Sequence, residues 1–271
     1  MNQINSKQDL INFFEKGCKK ESHIGIGIEH EKFIFENHSN KRINFEAVSK
    51  IFGFLEQFGW RPIKERNNVI GLTRNEQNIS LEPGNQIELS GAKLDSIHLV
   101  CKESYKFLDE LKKACLKFNL KMTSVSFDPY SKLEEVPKTP KQRYKIMTEE
   151  MPKNGELSLY MMYQTCGTQI NLDYISEKDF INKFKLSSFL VPISTAIFAN
   201  SPVKEKKLSG YLSYRSKVWQ HTSRAGLPKI FLEGIDFEKY IDTVINMPLL
   251  FVHKNSNYYK AEGKTFKDFM D

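Results

Sequence analysis

Two glutamates in a strand-like segment near the N-terminus are the first residues whose type and spacing could do chemistry. Residues 24–35 read IGIGIEHEKFIF and follow the two-residue period of a β-strand. Glu29 and Glu31 therefore project from one face, about 6–7 Å apart. Two carboxylates that close raise each other's pKa unless a cation lies nearby, and Mg²⁺ takes such oxygen ligands together with substrate phosphates. A solvated sheet face, or pairing with Lys and Arg, is the alternative.

A second carboxylate pair lies in the segment SLEPGNQIELS. Its Pro-Gly-Asn turn predicts a β-hairpin over residues 77–90, with Glu82 at the turn and Glu88 in the returning strand. Alternation gives the returning strand one polar and one apolar face. If the four glutamates share one side of a sheet, they form a carboxylate-rich site for two or more metal ions. A partly exposed hairpin is the alternative.

A third polar strand face is predicted over residues 165–173, TCGTQINLD. Gln169 and Asn171 fall on the same face and offer both hydrogen-bond donors and acceptors, which suit a substrate amino acid or a nucleotide phosphate. Polar side chains on an edge strand are the alternative reading.

Two arginines form a candidate phosphate clamp. Arg215 lies in the segment YLSYRSKVW, between aromatic residues, and Arg224 follows it. Guanidinium groups match phosphate oxygens and stabilise the charge of phosphoryl transfer, although surface arginines would show the same pattern. Because the sequence has neither GxxxxGK[ST] nor GxGxxG after a strand, a nucleotide, if one binds, would bind without a P-loop.

The remaining chemistry-bearing residues give weaker signals. His30 and His98 lack zinc-ligand spacing and are interpreted as structural, and Cys166 has no histidine at a spacing that suggests a nucleophile. The four cysteines are widely spaced without a CxxC pair, which indicates reduced thiols. With no apolar signal core and no long apolar stretch, the sequence predicts a soluble, cytoplasmic protein that does not enter a membrane.

The predicted elements indicate an α+β or mixed α/β fold in one continuous domain, with a largely antiparallel sheet. Hydrophobic residues make up 40% of the 271, which is ordinary for a globular protein. Helices are expected over residues 45–58, 95–118, 177–199 and 236–246, with a short helical stretch around Arg143 and Tyr144. Further strands are expected near residues 69–74, 77–82 and 120–126.

The formal net charge of +7 suits anionic partners. The cations are spread along the chain, however, without an aromatic-basic motif or a basic stripe. The charge is therefore interpreted mainly as a solvated lysine-rich surface, and nucleic-acid binding is not expected.

Taken together and in order, these segments resemble the plant and proteobacterial type of glutamate–cysteine ligase. The similarity runs from about residue 24 to the C-terminus. The blocks that carry it are GIEHEKFIF (27–35), SLEPGNQIELSGAKLDSIH (80–98), FDP (127–129), QRYKIMTEEMPKNG (142–155), MMYQTCGTQINLDY (161–174), AIFANSP (196–202) and GYLSYRSKVWQHT (210–222).

The resemblance implies a fold related to the glutamine synthetase catalytic domain, an antiparallel funnel-shaped sheet with helices outside. It also implies that ATP phosphorylates the γ-carboxylate of L-glutamate and that the amine of L-cysteine then displaces phosphate, the first step of glutathione biosynthesis. Magnesium would bind the acidic positions, and the nucleotide would contact the polar pair and the arginines, with Arg215 also catalytic. The site residues implied in this way are Glu29, Glu31, Glu82, Glu88, Gln169, Asn171, Arg215 and Arg224.

Two features depart from the family pattern: the stretch after Trp219 reads QHTSRAG, without the Asp-Pro expected ahead of Arg224, and the C-terminal segment differs. Family members are longer and carry a Leu-Glu-Met-Arg type motif in a C-terminal segment, which the 271 residues lack. We therefore expect a C-terminally incomplete catalytic domain, completed by a further segment or a second polypeptide. The alternatives are a ligase joining glutamate to another amine, and a non-catalytic homologue that binds a nucleotide or a partner.

Overall fold

The structure is a computed structural model that describes residues 4–223 and 230–270, apart from the side chains of residues 231 and 232. Its helices are α1 Lys7–Gly17, α2 Phe45–Leu55, α3 Ile97–Lys117, α4 Gln142–Glu150, α5 Ser158–Gln164, α6 Glu177–Ile197, α7 Tyr214–Gln220, α8 Ile230–Glu233 and α9 Phe237–Ile245. Its strands are β1 Ile26–Glu36, β2 Arg61–Glu65, β3 Asn68–Arg74, β4 Gln77–Leu81, β5 Ile87–Ser90, β6 Leu120–Thr123, β7 Thr168–Leu172, β8 Val203–Lys204, β9 Lys207–Leu208, β10 Phe251–Lys254 and β11 Asn257–Lys260.

An antiparallel sheet in the order β2-β3-β4-β5-β1-β6 organises the described residues, and β7 also pairs with β1. One edge of β1 pairs with β5, while its other edge pairs first with β7 and then, from Phe33 onward, with β6. The first strand is therefore central. This topology confirms the predicted combination of helices with a largely antiparallel sheet, whereas the single domain and the relation to glutamine synthetase stay predictions.

The main hydrophobic core lies between one face of the sheet and helices α2 and α3. The apolar face of the β4–β5 hairpin is fully buried there, against side chains of α2 and α3 such as Phe52 and Phe107. Burying an aliphatic or aromatic side chain of this size stabilises a fold by about 1.5–3 kcal/mol. Because side chains alternate along a strand, the polar residues of the hairpin must face the opposite side.

A buried arginine connects several loops on the polar side of the sheet. The guanidinium of Arg42 donates to Asp128 Oδ2 at 3.2 Å, to the Tyr163 carbonyl at 3.4 Å and to the Gly84 carbonyl. Its guanidinium carbon also lies 4.3 Å from the centroid of the Phe33 ring. Residues from four separate stretches of the chain are thus fixed at one point.

The tight turn between β4 and β5 is held by buried side-chain bonds. Asn85 adopts a positive φ of 58° and donates through Nδ2 to the Ile43 carbonyl at 3.1 Å. Gln86 Nε2 donates to the carbonyls of Met162 and Thr165 at 3.2 and 3.0 Å. The turn therefore has one fixed position relative to α5 and the start of the β7 segment.

Most predicted helices and strands are present with shorter bounds. The 77–90 hairpin is confirmed, and the helix predicted over residues 45–58 consists of α2 and a 3₁₀ turn that ends at Gly59, whose φ is 88°. The strand predicted over residues 165–173 begins only at Thr168, because the Thr165 backbone instead bridges to Phe127 and accepts from Gln86. The β10–β11 hairpin was not predicted. Within the described ranges, no helix is long and apolar enough to cross a membrane.

Gly84→Ala should destabilise the protein by about 2 kcal/mol, because a Cβ at residue 84 would lie 2.5 Å from the Tyr163 carbonyl oxygen. Urea unfolding measures the change. Gly53→Ala is the matched control: it lies inside α2 with nothing within 4 Å of an added Cβ. The control should stabilise the protein by up to about 1 kcal/mol. Equal midpoints for the two variants would contradict the close packing at the turn.

Candidate functional site

The central strand positions the first two glutamates beside the returning strand of the hairpin. Glu31 lies directly opposite Glu88 in the β1–β5 pairing, with Cβ atoms expected about 5 Å apart. Glu29 lies opposite Gln169 in the β1–β7 pairing. The polar faces of three neighbouring strands are thus in register on the side of the sheet away from α2 and α3.

Hydrogen bonds orient three of the carboxylates. Glu31 Oε2 accepts from the backbone N–H of Gly167 at 2.6 Å. Glu88 Oε1 accepts from the hydroxyls of Ser80 and Ser90, both at 3.1 Å. Glu29 Oε1 accepts from Asn171 Nδ2 at 3.2 Å, and Gln169 Nε2 in turn donates to Asn171. Each of these carboxylates keeps further lone pairs for a ligand.

Glu82 joins the group from the end of β4. It follows the last residue of that strand, and its Oε1 accepts from the Tyr144 hydroxyl at 3.3 Å. The Lys141 ammonium donates to the Leu81 carbonyl at 2.8 Å and is close enough to Glu82 to lower the pKa of that carboxyl. Glu82 is therefore placed by the hairpin turn and by the start of α4.

These side chains line one cavity of about 380 Å³. We call it the carboxylate cavity. It is lined by Glu29, Glu31, Glu82, Glu88, Gln169, Arg215 and Trp219, among others. Convergence of the four predicted glutamates was the central requirement of the sequence interpretation, and the structure meets it.

Burial and repulsion between neighbouring carboxylates raise the pKa of three of the glutamates. Burial, then the charges of Glu82 and Glu88, raise the pKa of Glu31 to about 8. Burial and Glu88 likewise raise the pKa of Glu82 to about 7, and burial is the main cause of the raised pKa of Glu88. A cation bound between such carboxylates would stabilise their ionised forms.

Arg215 enters the carboxylate cavity from α7. Its guanidinium carbon lies 5.3 Å from the centroid of the Trp219 ring. A Cβ at Gly167 would come within 2.9 Å of a guanidinium nitrogen, so the glycine leaves room for the arginine in this position. Arg215 lowers the pKa of Glu31 but makes no ion pair within 4.0 Å among the described residues. Its charge therefore remains available to an anionic ligand.

The donor set fits magnesium, although it holds no preformed chelate. In residues 4–223 and 230–270, no three Asp, Glu, His or Cys side chains are grouped closely enough to bind one ion by themselves. Mg²⁺ characteristically uses one or two carboxylates and completes its shell with water and substrate phosphates. Paired carboxylates with raised pKa values suit such sites, and magnesium binding stays a prediction.

The predicted site residues do not all lie at the carboxylate cavity. The four glutamates, Gln169 and Arg215 line one cavity, whereas Asn171 supports Glu29 from beside it. Arg224 lies outside the described residues.

Comparison with known proteins decides the family. A model of glutamate–cysteine ligase family 2 matches residues 25–270. The chain belongs to this family. It is 44% identical over 269 residues to glutamate–cysteine ligase A, chloroplastic, of Oryza sativa subsp. japonica, covering 98% of this chain and 55% of that protein. The chloroplastic ligases of Nicotiana tabacum and Arabidopsis thaliana are 42% and 40% identical, and 52% of each is covered.

The family assignment confirms the resemblance seen in the sequence blocks. The chain spans about half the length of the curated relatives it matches. Those relatives are named as chloroplastic, while the cytoplasmic location of this chain stays a prediction.

In this member of the glutamate–cysteine ligase family, two basic residues that were not predicted as site residues lie beside Glu82. Lys141 and Arg143 lie at the start of α4 and both lower the pKa of Glu82. The local pattern shows only a short polar helix. The available signal was their position, since Lys141 directly precedes the quoted block 142–155 and Arg143 is its second residue.

The raised pKa of Glu31 predicts a pH-dependent stability of the metal-free protein. A folded-state pKa of about 8 against a usual value of 4.5 means that the stabilising proton is fully present below pH 4.5 and is lost as the pH rises through 8. Glu31→Gln should therefore raise the free energy of unfolding, relative to the unmodified protein, by about 4 kcal/mol more near pH 8.5 than near pH 5.

Urea unfolding in the presence of a chelator, at both pH values, measures this difference. Glu76→Gln is the control, because Glu76 is exposed at the turn between β3 and β4 and should give no pH-dependent difference. A Glu31→Gln difference that does not change with pH would contradict the buried, uncompensated carboxylate.

Proposed function

We propose that this chain carries the ATP- and Mg²⁺-binding part of a ligase that joins L-glutamate to L-cysteine. The single observation that carries the proposal is the convergence of Glu29, Glu31, Glu82 and Glu88 in one cavity with Arg215. ATP and glutamate bring several negative charges together, and divalent cations with an arginine neutralise such charge. The family membership and the 44% identity to a glutamate–cysteine ligase support the same reaction.

The reaction has two steps. The γ-carboxylate oxygen of glutamate attacks the terminal phosphorus of ATP, which forms an acyl phosphate and releases ADP. The amine of cysteine then attacks the acyl carbon, loses a proton and expels phosphate, leaving an amide. Bound magnesium would supply electrostatic stabilisation of the phosphate oxygens.

The chain's own residues perform the positioning. The glutamates of β1 and the β4–β5 hairpin would hold the metal ions, and their hydrogen bonds to Gly167, Ser80 and Ser90 fix them beforehand. Arg215, stacked on Trp219, would offset the charge of the transferred phosphoryl group. Asn171 keeps Glu29 turned toward the cavity from the edge strand.

Glu88→Gln should weaken Mg²⁺-dependent ATP binding by about 10-fold or more, because it replaces a charged carboxylate ligand of the magnesium ion that the protein would share with ATP. Isothermal titration of ATP with and without Mg²⁺ measures this, with Glu76→Gln as the charge-matched control far from the cavity. ATP binding that is indifferent to both Mg²⁺ and Glu88→Gln would defeat the proposed function.

Turnover separates the remaining alternatives. An assay of ADP release with glutamate and a series of amines should give the highest rate with cysteine. A higher rate with a different amine would assign another carboxylate–amine ligase. Metal-dependent ATP binding without turnover would favour a non-catalytic nucleotide-binding homologue.

A large apolar surface supports the proposal that further polypeptide completes the site. Helix α6 has no buried residue, and Phe189 and Ile197 are 76% and 69% exposed. Ile170 and Leu172 extend this surface onto β7. A contiguous patch of this kind marks an interaction site. Since the relatives are about twice as long, the occupant proposed for this α6–β7 surface is the polypeptide that corresponds to their C-terminal part.

The C-terminal part of the rice relative, added as a separate chain, should bind this protein, and Phe189→Ser should weaken the complex by about 10-fold. Leu116→Ser is the matched control, because Leu116 is a similarly exposed apolar residue on helix α3. Size-exclusion chromatography with light scattering measures the complex. Self-association that depends on Phe189, or a complex indifferent to Phe189→Ser, would overturn this assignment.

A further inference from the structure

A second cavity of about 530 Å³ lies where β1 passes from β7 to β6. It is bordered by Lys32, by the loop after β6, by the end of α6 and by the start of α7. We call it the basic cavity. Glu31, Gly167, Thr168 and Arg215 line both this cavity and the carboxylate cavity, so the two adjoin.

Lys32 is the residue that the proposed reaction leaves without a role. It is only 8% exposed, yet within the described parts of the chain its ammonium has no hydrogen bond and no ion pair. Such a buried charge is costly unless a partner compensates it. A partner that comes from outside the protein would explain why the lysine is tolerated.

Arg215 is a second cationic side chain at the basic cavity whose hydrogen-bonding capacity is not fully used. Its Nε is buried and has no hydrogen-bond partner among the described residues. Two cationic side chains therefore border one cavity, and neither makes an ion pair within the described ranges. The cavity's chemistry calls for an anion.

The rest of the lining indicates what kind of anion fits. Hydroxyl and amide groups are contributed by Ser124, Ser126, Ser194, Thr195, Ser213, Ser216 and Asn200. Apolar side chains, including Ile170 and Phe198, form much of the remaining wall. A carboxylate on a small organic molecule fits this lining, because the charge meets the two cations and the apolar part of the molecule meets the wall formed by Ile170 and Phe198.

We propose that the basic cavity binds the α-carboxylate of an amino acid substrate, with Lys32 as its main counter-charge. This assignment rests on the proposed ligase function, which brings amino acids to the adjoining cavity. It adds a residue and a substrate group that the carboxylate cavity alone does not explain.

Paired ligands test the proposal without altering the protein. Binding of L-glutamate is compared with its α-amide, isoglutamine, and binding of L-cysteine with cysteinamide, in the absence of ATP and Mg²⁺. For the amino acid that occupies the cavity, loss of the carboxylate charge should weaken binding by about 10-fold or more. The other pair should show little difference, which identifies the substrate.

Lys32→Met supplies the second arm, because it removes the charge and keeps a long apolar side chain. The variant should bind the acid and the amide with affinities within about two-fold of each other. Its unfolding midpoint should be unchanged or higher, since an uncompensated buried charge has been removed. Lys113→Met, on the exposed side of α3, is the control and should retain the full preference for the acid.

The outcomes separate this inference from the proposed function. Mg²⁺-dependent ATP binding together with no acid preference, or with a preference that survives Lys32→Met, would overturn the assignment of the basic cavity alone. A Lys32-dependent acid preference without metal-dependent ATP binding would retain the cavity and overturn the ligase. If neither amino acid binds, the assignment of the basic cavity is also wrong.

Discussion

The buried ion pair between Arg42 and Asp128 is the constraint on which the site depends. Both side chains are almost completely buried, and the arginine also donates to the carbonyls of Gly84 and Tyr163. Asp128 in turn accepts from the backbone N–H groups of Tyr130 and Ser131. Removing one partner of such a pair typically costs about 3–5 kcal/mol, because it leaves the other charge buried and alone. The hairpin turn that carries Glu82 would lose its anchor at the same time.

The glutamates that line the carboxylate cavity lower the stability of the fold, although the proposed metal binding requires them. Three glutamates with raised pKa values are held together on neighbouring strands and at the hairpin turn, where their repulsion opposes folding. The apolar face of the same hairpin compensates, because its alternate residues are completely buried against α2 and α3. One short sequence therefore supplies both the repelling groups and the core that restrains them.

The sequence predicted what depends on local period and on turn chemistry. Alternation placed Glu29 and Glu31 on one face, and the Pro-Gly-Asn turn predicted the hairpin that carries Glu82 and Glu88. Their meeting depends on β1 pairing with β5 and β7, which no local pattern could show; the family resemblance implied only an antiparallel sheet and a shared metal-binding role for the glutamates.

The Arg42–Asp128 pair joins residues 86 positions apart, and nothing in the sequence near Arg42 distinguishes it from a surface arginine. The sequence around Lys32 likewise shows only an alternating strand.

The position of Trp219 has a spectroscopic consequence. The chain has two tryptophans. Trp60 is almost completely buried in the core and donates through Nε1 to Glu110 at 2.8 Å. Trp219 is 43% exposed and stacks on Arg215 at the wall of the carboxylate cavity. Intrinsic fluorescence thus has a red-shifted emitter at the ligand site and a blue-shifted internal reference in the core, and site occupancy becomes visible without a label.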